Sequence, residues 1–521
     1  MLSRVPLRWI SAVLGAVVIA AAVGVFLPAL SAEFVNWDDP DNFIENTHYR
    51  GLGPRQLTWM FTTVHMGHYM PLTWLTLGWD YAVWGMSAWG YRLTNLLLHA
   101  ATALTFYFLS LRLLRLALGA ATGPLQLHLG AAVAAIVFAA HPLRAESVAW
   151  VTERRDVLSG LFYVGAVLAY VKAVEDGKRR VDLYWTAVAL FVAALLSKSI
   201  TATLPAVLVV LDIYPLGRLG GGRGWARWHV WAEKLPFLVL GIAASALAFL
   251  ANAPLGNMRS LAFMSPLLRV VLALYSVAFY LWKTVWPTEL SPLYTFPLTV
   301  TYYHFALAIG GTILALVLWR RLPAFTASWA VYMVTLVPIS GLFHNGPQSV
   351  ADRYSYLACL PWALWAGAAV AWRPGSVRAR ALATGLRTVA VVAIVAFTFL
   401  TWRQAAIWHD SVALWQHALT VDPESRTAHA YLGRAYADEG MIAEAVAQYE
   451  EAARRFRNKP VFYVLIGRLL EDDDNDVGAL AYYRDVLAAA PGQPEACAGV
   501  RRIGERMEVP VEATAGCPTE E

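Results

Sequence analysis

The chain is dominated by a succession of apolar runs, each of about twenty residues. A helix of that length crosses the roughly 30 Å hydrocarbon core of a bilayer. Of the 521 residues, 58% are hydrophobic and only 15% are charged, a balance that is not typical of soluble proteins. The sequence therefore predicts an all-α polytopic membrane bundle. The clear runs lie at residues 9–30, 93–118, 127–145, 157–175, 235–253, 267–286, 302–319, 325–343, 355–372 and 384–402.

The stretch 184–213 is ambiguous. As one helix it would be about 45 Å long and would bury Lys198 near its middle. As a hairpin of two short helices it would bring Ser197, Lys198 and Ser199 to a membrane surface. We expect about eleven spans, and twelve or thirteen stay open because this stretch allows both arrangements.

Basic residues predict the orientation of the bundle. Arg4 and Arg8 precede the first run, which places the N-terminus in the cytoplasm and residues 31–92 outside as the first extracytoplasmic loop. The first run is longer than a signal-peptide core, so we interpret it as an uncleaved anchor. The basic loop 373–387 favours a C-terminal part on the outer side. We expect a multi-pass inner (plasma) membrane protein, and arginines confined to short loops do not indicate nucleic-acid binding.

After residue 403 the pattern changes to soluble helices with a 34-residue period. The period is carried by the pairs Gly433/Gly467, Ala445/Ala479 and Tyr449/Tyr483. A repeat of this length is typical of tetratricopeptide repeats. We therefore predict a transmembrane domain over 1–403 and an α-solenoid over 404–494. Its concave face could hold an acceptor protein or peptide, and a purely structural cap is the alternative.

The C-terminal tail, residues 495–521, is predicted to be disordered. It carries two of the three cysteines, Cys497 and Cys517. In an oxidising compartment these two could form a disulfide. No CxxC pair is present, so the cysteines do not predict a metal site.

An acidic pair, Asp38 and Asp39, follows the first run in the segment Phe34-Val-Asn-Trp-Asp-Asp-Pro-Asp-Asn-Phe. A carboxylate at a membrane surface, with little competing water, is placed to take a proton from a hydroxyl group. The same residues also suit a turn or a helix cap. Both interpretations stay open at this point.

Three further polar segments interrupt apolar surroundings. The first contains His141, Glu146, Arg154 and Asp156, and its alternative role is to end one helix and begin the next. The second is centred on Lys198, which could instead anchor a helix at the interface. In the third, Asp352 and Arg353 could form an exposed ion pair that contributes little, or Arg353 could bind a phosphate.

Together these segments suit the transfer of a group from a lipid phosphate. A carboxylate would deprotonate the acceptor hydroxyl, and Arg or Lys side chains would neutralise the departing phosphate. The lipid chain would lie between helices.

Several of these residues stand in motifs that resemble a known family. The segment Trp37-Asp38-Asp39 is similar to the acidic motif in the first outer loop of GT-C glycosyltransferases. More narrowly, the chain resembles the transmembrane-and-tetratricopeptide-repeat protein O-mannosyltransferases and their bacterial relatives. The matching stretches are Tyr69-x-Pro71-Leu-Thr, Asn95-Leu-Leu-Leu-His99, His141-Pro-x-x-x-Glu146-Ser-Val, Arg154-x-Asp156 and Asp352-Arg353-Tyr354-x-Tyr356-Leu, followed by the 34-residue repeats.

The resemblance implies an activity and a set of acids. The activity is transfer of a sugar, with inversion, from a polyprenyl- or dolichyl-phosphate donor to Ser or Thr hydroxyls of proteins. The acidic pair would contain the general base, with Asp38 preferred over Asp39. Glu146 and Asp156 would be secondary acids. Some GT-C enzymes use a divalent metal such as Mg²⁺ or Mn²⁺, which Asp38 and Asp39 would hold here.

The resemblance also implies roles for basic residues. Arg154, Arg353 and Lys198 would bind the phosphate of the donor, and His141 would orient the pocket. The active site and the repeats would face the periplasm of a bacterium.

The chain departs from the family pattern at three positions. Met70 stands where an arginine is common, Arg92 where a histidine is common, and Arg144 where a second histidine is frequent. These departures leave the identity of the sugar open, and mannose is the expectation from the eukaryotic members.

Two other functional classes compete with the transferase. A non-catalytic assembly factor would use the repeats to recruit partners and the membrane part as an anchor. A transporter of a lipid-linked sugar would carry charges at the membrane midplane. The transferase is preferred because, Lys198 apart, the charges lie at the ends of the predicted spans and no inverted repeat is evident.

Overall fold

The computed structural model describes residues 6–119, 122–177, 179–253, 264–295, 302–342, 348–455, 459–507 and 517. Its contacts divide the chain into two units. The first unit contains residues 1–33 and 41–409, and the second contains residues 34–40 and 410–521. The second unit therefore includes a short segment from near the N-terminus as well as the C-terminal part.

The described chain is built of α-helices joined by short turns. The helices of the first unit are Pro54–Thr62 (α2), Pro71–Trp84 (α3), Ala145–Ala149 (α6), Trp228–Ala232 (α10), Ser355–Ala358 (α15) and the apolar set Leu7–Val25 (α1), Ala88–Leu118 (α4), Pro124–Ala139 (α5), Arg154–Val174 (α7), Val181–Ser197 (α8), Leu204–Ile213 (α9), Leu235–Asn252 (α11), Pro266–Val285 (α12), Tyr302–Leu318 (α13), Pro323–Leu336 (α14), Leu360–Ala371 (α16) and Val377–Ala406 (α17). The helices of the second unit are Ser411–Val421 (α18), Arg426–Asp438 (α19), Ile442–Arg455 (α20), Lys459–Asp472 (α21), Asp476–Ala489 (α22) and Pro494–Arg506 (α23).

The predicted helical membrane bundle is confirmed. Among the described residues, 6 helices are long and apolar enough to cross a membrane, and two bent helix pairs raise the number to 8. Shorter apolar helices cover Val181–Ser197, Ser199–Ile213, Tyr302–Leu318 and Pro323–Ile339. Several helices begin with proline, which has no N–H to leave unpaired at a helix start. We call the end of the bundle where α7 begins the upper end and the end where α7 stops the lower end.

The ambiguous stretch folds as a hairpin of α8 and α9. Lys198, at its turn, pairs with carboxylates at the beginning of α7, so the turn lies at the upper end. Near the start of α8, the Tyr184 hydroxyl donates to the Glu233 carbonyl at 3.0 Å. Near the end of α9, Asp212 pairs with Lys234 at 2.5 Å. Because residues 233 and 234 are neighbours, the start of α8 and the end of α9 lie together, and the chain has doubled back.

Helix α12 is apolar and long enough to span, yet both of its ends lie near the upper end. Near its beginning, Arg269 donates to the Leu342 carbonyl at 3.0 Å, just after α14. That segment is at the upper end because α14 runs antiparallel to α16. Near the end of α12, the Thr284 carbonyl accepts from His141 at 3.0 Å. Both ends of α12 thus contact segments at the upper end.

The 34-residue period is visible in the packing of the second unit. Gly433 lies against the ring of Tyr449, and Gly467 lies against the ring of Tyr483. A Cβ atom at Gly433 would stand 2.9 Å from Tyr449, and one at Gly467 would stand 2.6 Å from Tyr483. The glycines recur because each tyrosine needs a helix face without a side chain.

The expectation of a disordered tail is wrong for residues 495–506, which belong to α23. Ala496, Val500 and Ile503 fall on one helical face and are buried, so this segment extends the helical stack. Cys497 and Cys517 form a disulfide, as the sequence allowed. Residues 508–516 and 518–521 lie outside the described residues.

A tight contact between α5 and α16 predicts that the same substitution has different effects at two glycines. At the α5–α16 crossing, a Cβ atom at Gly130 would lie 2.6 Å from the Gly367 carbonyl oxygen, whereas at Gly385, in α17, it would meet nothing within 4 Å. We expect Gly130→Ala to destabilise the bundle by about 1–3 kcal/mol through overpacking. Gly385→Ala should be neutral or stabilising by up to about 1 kcal/mol, because alanine favours helix. Thermal unfolding in detergent checks both, and equal unfolding midpoints would contradict the tight crossing.

Candidate functional site

The candidate site lies at the upper end, where helices are interrupted. Helices α5 and α6 belong to a pair bent by 58°, and the segment Asp352–Ala358 is bent by 55° from α16. The turn of the α8–α9 hairpin and the start of α7 lie at the same end. Each interruption lets a short polar segment remain inside an otherwise apolar bundle, which an unbroken span would not allow. Three of the polar segments expected from the sequence meet there.

Glu153 is the centre of a cluster of buried charges. Its carboxylate oxygens lie 2.7 Å from Arg155, 3.0 Å from Lys198 and 3.1 Å from Arg353. The Glu153 side chain is fully buried, so three cations surround a carboxylate that has no access to solvent. The sequence did not single out Glu153, although its position immediately before two arginines and an aspartate was the available signal.

Two expected acids complete this cluster. Asp156 accepts from Lys198 at 2.6 Å. Glu146 accepts from the backbone N–H of Arg353 at 2.8 Å and forms an ion pair with the Arg353 guanidinium. The structure thus brings together four of the expected site residues: Glu146, Asp156, Lys198 and Arg353. We call these four, with Glu153 and Arg155, the charge cluster.

Arg154, also expected to bind phosphate, is turned away from the charge cluster. It pairs with Asp80 at 2.6 Å, and both side chains are fully buried. It also donates to the Tyr91 carbonyl at 2.7 Å and to the side chain of Asn95. Among the described residues Arg154 pairs with Asp80, whereas the next residue, Arg155, pairs with Glu153. These contacts describe a structural tie between α3, α4 and α7.

His141 has both ring nitrogens engaged within the protein. Nδ1 accepts from the Leu143 backbone N–H at 3.2 Å, so Nε2 carries the proton that it donates to the Thr284 carbonyl at 3.0 Å. The ring therefore holds the break between α5 and α6 against α12. This geometry fits an orienting role, which is the one expected for His141.

The acidic pair belongs to the second unit, where Asn36 ties its segment to the C-terminal helices. The Asn36 backbone N–H donates to the Ser411 hydroxyl at 2.9 Å. Its side-chain amide donates to the Tyr431 carbonyl at 3.1 Å and accepts from the Trp415 indole N–H at 2.7 Å. These three hydrogen bonds join residues almost 400 positions apart in the sequence.

Aromatic stacking reinforces the same attachment and fixes the two acids differently. The Trp37 ring stacks on Trp415, with centroids 4.8 Å apart. The Asp39 carboxylate is buried and accepts from the backbone N–H of Val35 at 2.9 Å, which closes a turn. Asp38 is partly exposed. Asp39 therefore holds the loop, and Asp38 is the more accessible carboxylate.

His68 is a neighbour of the charge cluster that the sequence did not point to. It closes a tight turn with His65, in which the paired backbone groups lie 2.8 and 3.1 Å apart, and Met66 and Gly67 take positive φ values of 48° and 78°. Burial, followed by the positive charges of Arg155 and Lys198, lowers the pKa of His68 to about 3. The imidazole is therefore neutral at physiological pH and can accept a hydrogen bond.

Among the described residues, no group of three or more His, Cys, Asp or Glu side chains is arranged to hold a metal ion. The suggestion that Asp38 and Asp39 hold Mg²⁺ or Mn²⁺ thus has no third protein ligand of those types in the part of the chain that the structure describes.

Comparison with known proteins gives one consistent likeness. A Caenorhabditis elegans protein named as a protein O-mannosyl-transferase is 23% identical over 459 residues, which cover 84% of this chain and 62% of that protein. Protein O-mannosyl-transferase Tmtc3 of Drosophila melanogaster is 23% identical over 77% of this chain and 50% of its own length. Human protein O-mannosyl-transferase TMTC4 is 27% identical over 42% of this chain and 31% of its own.

The chain is thus related to proteins of this name over most of its length, as the sequence motifs predicted. It spans between half and two thirds of the length of the first two relatives. No protein-family model matches the chain. No solved structure matches it significantly.

The buried ion pair between Asp80 and Arg154 predicts that a single substitution lowers the free energy of unfolding more than the double substitution does. Arg154→Gln leaves a carboxylate buried without its cation, so we expect a loss of about 3–5 kcal/mol in stability. Asp80→Asn combined with Arg154→Gln should recover part of that loss, because no charge is then left alone. Unfolding midpoints of the wild type, the two single variants and the double variant in detergent measure this, and additive losses would contradict a tight pair.

The hydrogen bonds of Asn36 predict that amide hydrogen exchange in residues 34–40 becomes faster when this side chain is removed. Asn36→Ala removes hydrogen bonds worth about 1 kcal/mol each, so amide exchange in residues 34–40 should accelerate roughly tenfold or more. Asn475→Ala is the matched control, because Asn475 caps α22 within the same unit. Hydrogen–deuterium exchange by mass spectrometry checks this. If both variants left residues 34–40 equally protected, Asn36 would not hold the segment.

Proposed function

We propose that this membrane protein is a glycosyltransferase that moves a hexose such as mannose from a polyprenyl-phosphate donor to Ser or Thr hydroxyls of proteins. The observation that carries the proposal is the charge cluster, in which three predicted polar segments converge at one end of an apolar bundle. The names of the relatives support the same chemistry.

In the proposed reaction, a carboxylate acts as general base. Asp38 removes the proton of the acceptor hydroxyl while its oxygen attacks C1 of the sugar from the face opposite the phosphate. The bond from C1 to the phosphate oxygen breaks, a new glycosidic bond forms with inversion, and the polyprenyl phosphate leaves. Asp38 fits this role better than Asp39, because Asp39 is buried and accepts a backbone hydrogen bond.

The charge cluster would present fixed polar groups to the donor. Lys198 and Arg353 keep 15% and 10% of their side chains exposed while they hold Glu153, Asp156 and Glu146. Because both are already placed by carboxylates, they would reorganise little when the donor binds. Arg154 is excluded from such contact by its complete burial beside Asp80.

The C-terminal helices would hold the acceptor. The period of 34 residues and the matching glycine–tyrosine contacts support a tetratricopeptide repeat, whose concave faces bind extended segments. The acidic segment 34–40 belongs to the same unit as these helices. The second unit would then hold both the proposed base and an acceptor that is bound by the repeats.

We also propose that this chemistry takes place on the extracytoplasmic side of the membrane. If the α8–α9 hairpin contributes two crossings and α12 none, the apolar helices of the described chain contribute eleven crossings. An odd number would put the C-terminal unit on the side of the membrane opposite the start of α1. The Cys497–Cys517 disulfide supports an oxidising compartment for that unit.

The test compares protein glycosylation in cells that carry the wild-type chain, a deletion, Asp38→Asn or Glu45→Gln at equal expression. Glu45 is an exposed acid of the same loop and serves as the matched control. We expect Asp38→Asn to lower transfer by about 100-fold or more, since general-base catalysis typically contributes that much. Intact-mass spectrometry of envelope proteins should then lose a hexose in the deletion and in Asp38→Asn, and retain it in Glu45→Gln.

Other outcomes would contradict the proposal in different ways. Loss of the hexose in the deletion alone would indicate a scaffold that recruits another enzyme. A hexose retained in every strain would remove support for transfer, and a lipid-transport assay would then be the next measurement.

A further inference from the structure

The segment between α9 and α11 exposes three tryptophan side chains at the lower end. Trp225, Trp228 and Trp231 are 49%, 76% and 42% exposed. They belong to a 3-10 turn, Gly222–Ala226, and to α10. The Trp225 and Trp231 rings stack with their centroids 6.4 Å apart, and the Trp231 indole N–H donates to the Trp225 carbonyl at 3.1 Å. Residues 222–232, which we call the tryptophan segment, therefore present a joined set of rings at the surface of the bundle.

Buried charges hold both ends of this segment. Arg218, which precedes it, pairs with Asp212 at 3.0 Å and with Glu233 at 2.6 Å. Lys234, which follows it, pairs with Asp212 at 2.5 Å. The hydroxyl of Tyr170, near the end of α7, donates to the same Asp212 carboxylate at 2.8 Å. Because α7 stops at the lower end, these contacts fix the tryptophan segment there.

Helix α11 continues from the tryptophan segment with a face that suits lipid. Leu235, Leu238 and Ile242, on one side of this helix, are 59%, 47% and 60% exposed. The apolar helical stretch Trp228–Asn252 has 25 residues and would be about 37 Å long, whereas the hydrocarbon core is about 30 Å thick. The 18 residues of α11 alone cover about 27 Å. Helix α10 therefore extends beyond the core, to the depth of the lipid headgroups.

The charge of the tryptophan segment indicates what covers its rings. Residues 222–232 contain two arginines and one histidine but no Asp or Glu. Arg227 is exposed, and its Nη1 donates to the Arg218 carbonyl at 3.1 Å, so the guanidinium is held beside the tryptophans. The nearby carboxylates of Asp212 and Glu233 are buried and already paired. An exposed cation among aromatic rings fits the phosphates of a headgroup layer.

We propose that the tryptophan segment lies in the headgroup layer of the bilayer at the lower end and binds anionic phospholipids through Arg227. A tryptophan ring suits this layer because its body is apolar and its N–H is polar. Each basic residue near an anionic surface strengthens binding by about fivefold, so phosphatidylglycerol should be preferred to phosphatidylcholine. The site lies at the opposite end of the bundle from the charge cluster, and it does not depend on the proposed function.

The first measurement gives the depth of the segment. Trp228→Cys, in the full-length chain, is labelled with a nitroxide and placed in vesicles of equal parts phosphatidylcholine and phosphatidylglycerol. Cys359 is buried, and Cys497 and Cys517 are paired, so the new thiol is the one that reacts. We expect dissolved oxygen to relax this label more than a water-soluble nickel complex does, because oxygen concentrates in lipid. Glu444→Cys, at an exposed position of α20, is the aqueous control and should show the reverse.

The second measurement tests the choice of lipid. Native mass spectrometry of the purified full-length chain compares retention of phosphatidylglycerol with retention of phosphatidylcholine. We expect Arg227→Gln to reduce the preference for phosphatidylglycerol about fivefold, and Trp228→Ala to weaken retention of both lipids. Arg320→Gln changes an exposed arginine between α13 and α14 at the same end, and as the matched control it should keep the wild-type preference. Both test positions are exposed, so these substitutions leave the buried pairs of Asp212 intact.

Several outcomes would overturn the proposal. It fails if the label at position 228 is as accessible to nickel as the label at position 444. It also fails if Arg227→Gln keeps the preference for phosphatidylglycerol, or if Arg320→Gln loses it to the same extent. A dimer that forms in the wild type and disappears in Trp228→Ala would identify a second copy of the chain as the occupant. None of these outcomes bears on sugar transfer, which the glycosylation experiment tests separately.

Discussion

A charge inside an apolar bundle must find a partner, and much of this architecture follows from that requirement. Asp80 and Arg154 satisfy it as a closed pair, and Glu153 satisfies it with three cations. Such pairs need helices that stop and turn at the right depth, because an unbroken span offers no room for them. The bends at the upper end and the α8–α9 hairpin supply those turns. The buried charge pairs and the interrupted helices therefore occur together at the upper end.

Arg144 and Arg154 are both buried guanidinium groups, and their surroundings differ. Arg154 pairs with Asp80, whereas Arg144 donates to the Ser355 hydroxyl and lies over the rings of Phe138 and Tyr356. The position of Arg144 in the sequence gave no sign of this difference, since it stands two residues from Glu146 in one short polar segment. Only the folded chain shows which of the two arginines has a carboxylate partner.

The apolar runs predicted most of the membrane helices, because a helix that crosses a bilayer needs about twenty consecutive apolar residues. The same reasoning located the segments that form the charge cluster. It assigned Arg154 to the phosphate because sequence spacing shows neither its rotation away from Asp156 nor its partner Asp80, which is 74 positions earlier. Contacts between distant segments carry no local pattern. Residues 495–506 were misjudged for another reason, since Ala496, Val500 and Ile503 do follow helical spacing.

The attachment of segment 34–40 to the C-terminal helices has a consequence for biosynthesis. The ribosome makes Asn36 and Trp37 early, but Ser411, Trp415 and Tyr431 emerge only after every apolar helix has been delivered to the membrane. Until then the acidic loop lacks the groups that order it. A nascent or truncated chain could insert its helices without ever assembling this loop. The order of synthesis would therefore act as a safeguard, since the proposed base takes its place only in a chain that has been translated through α19.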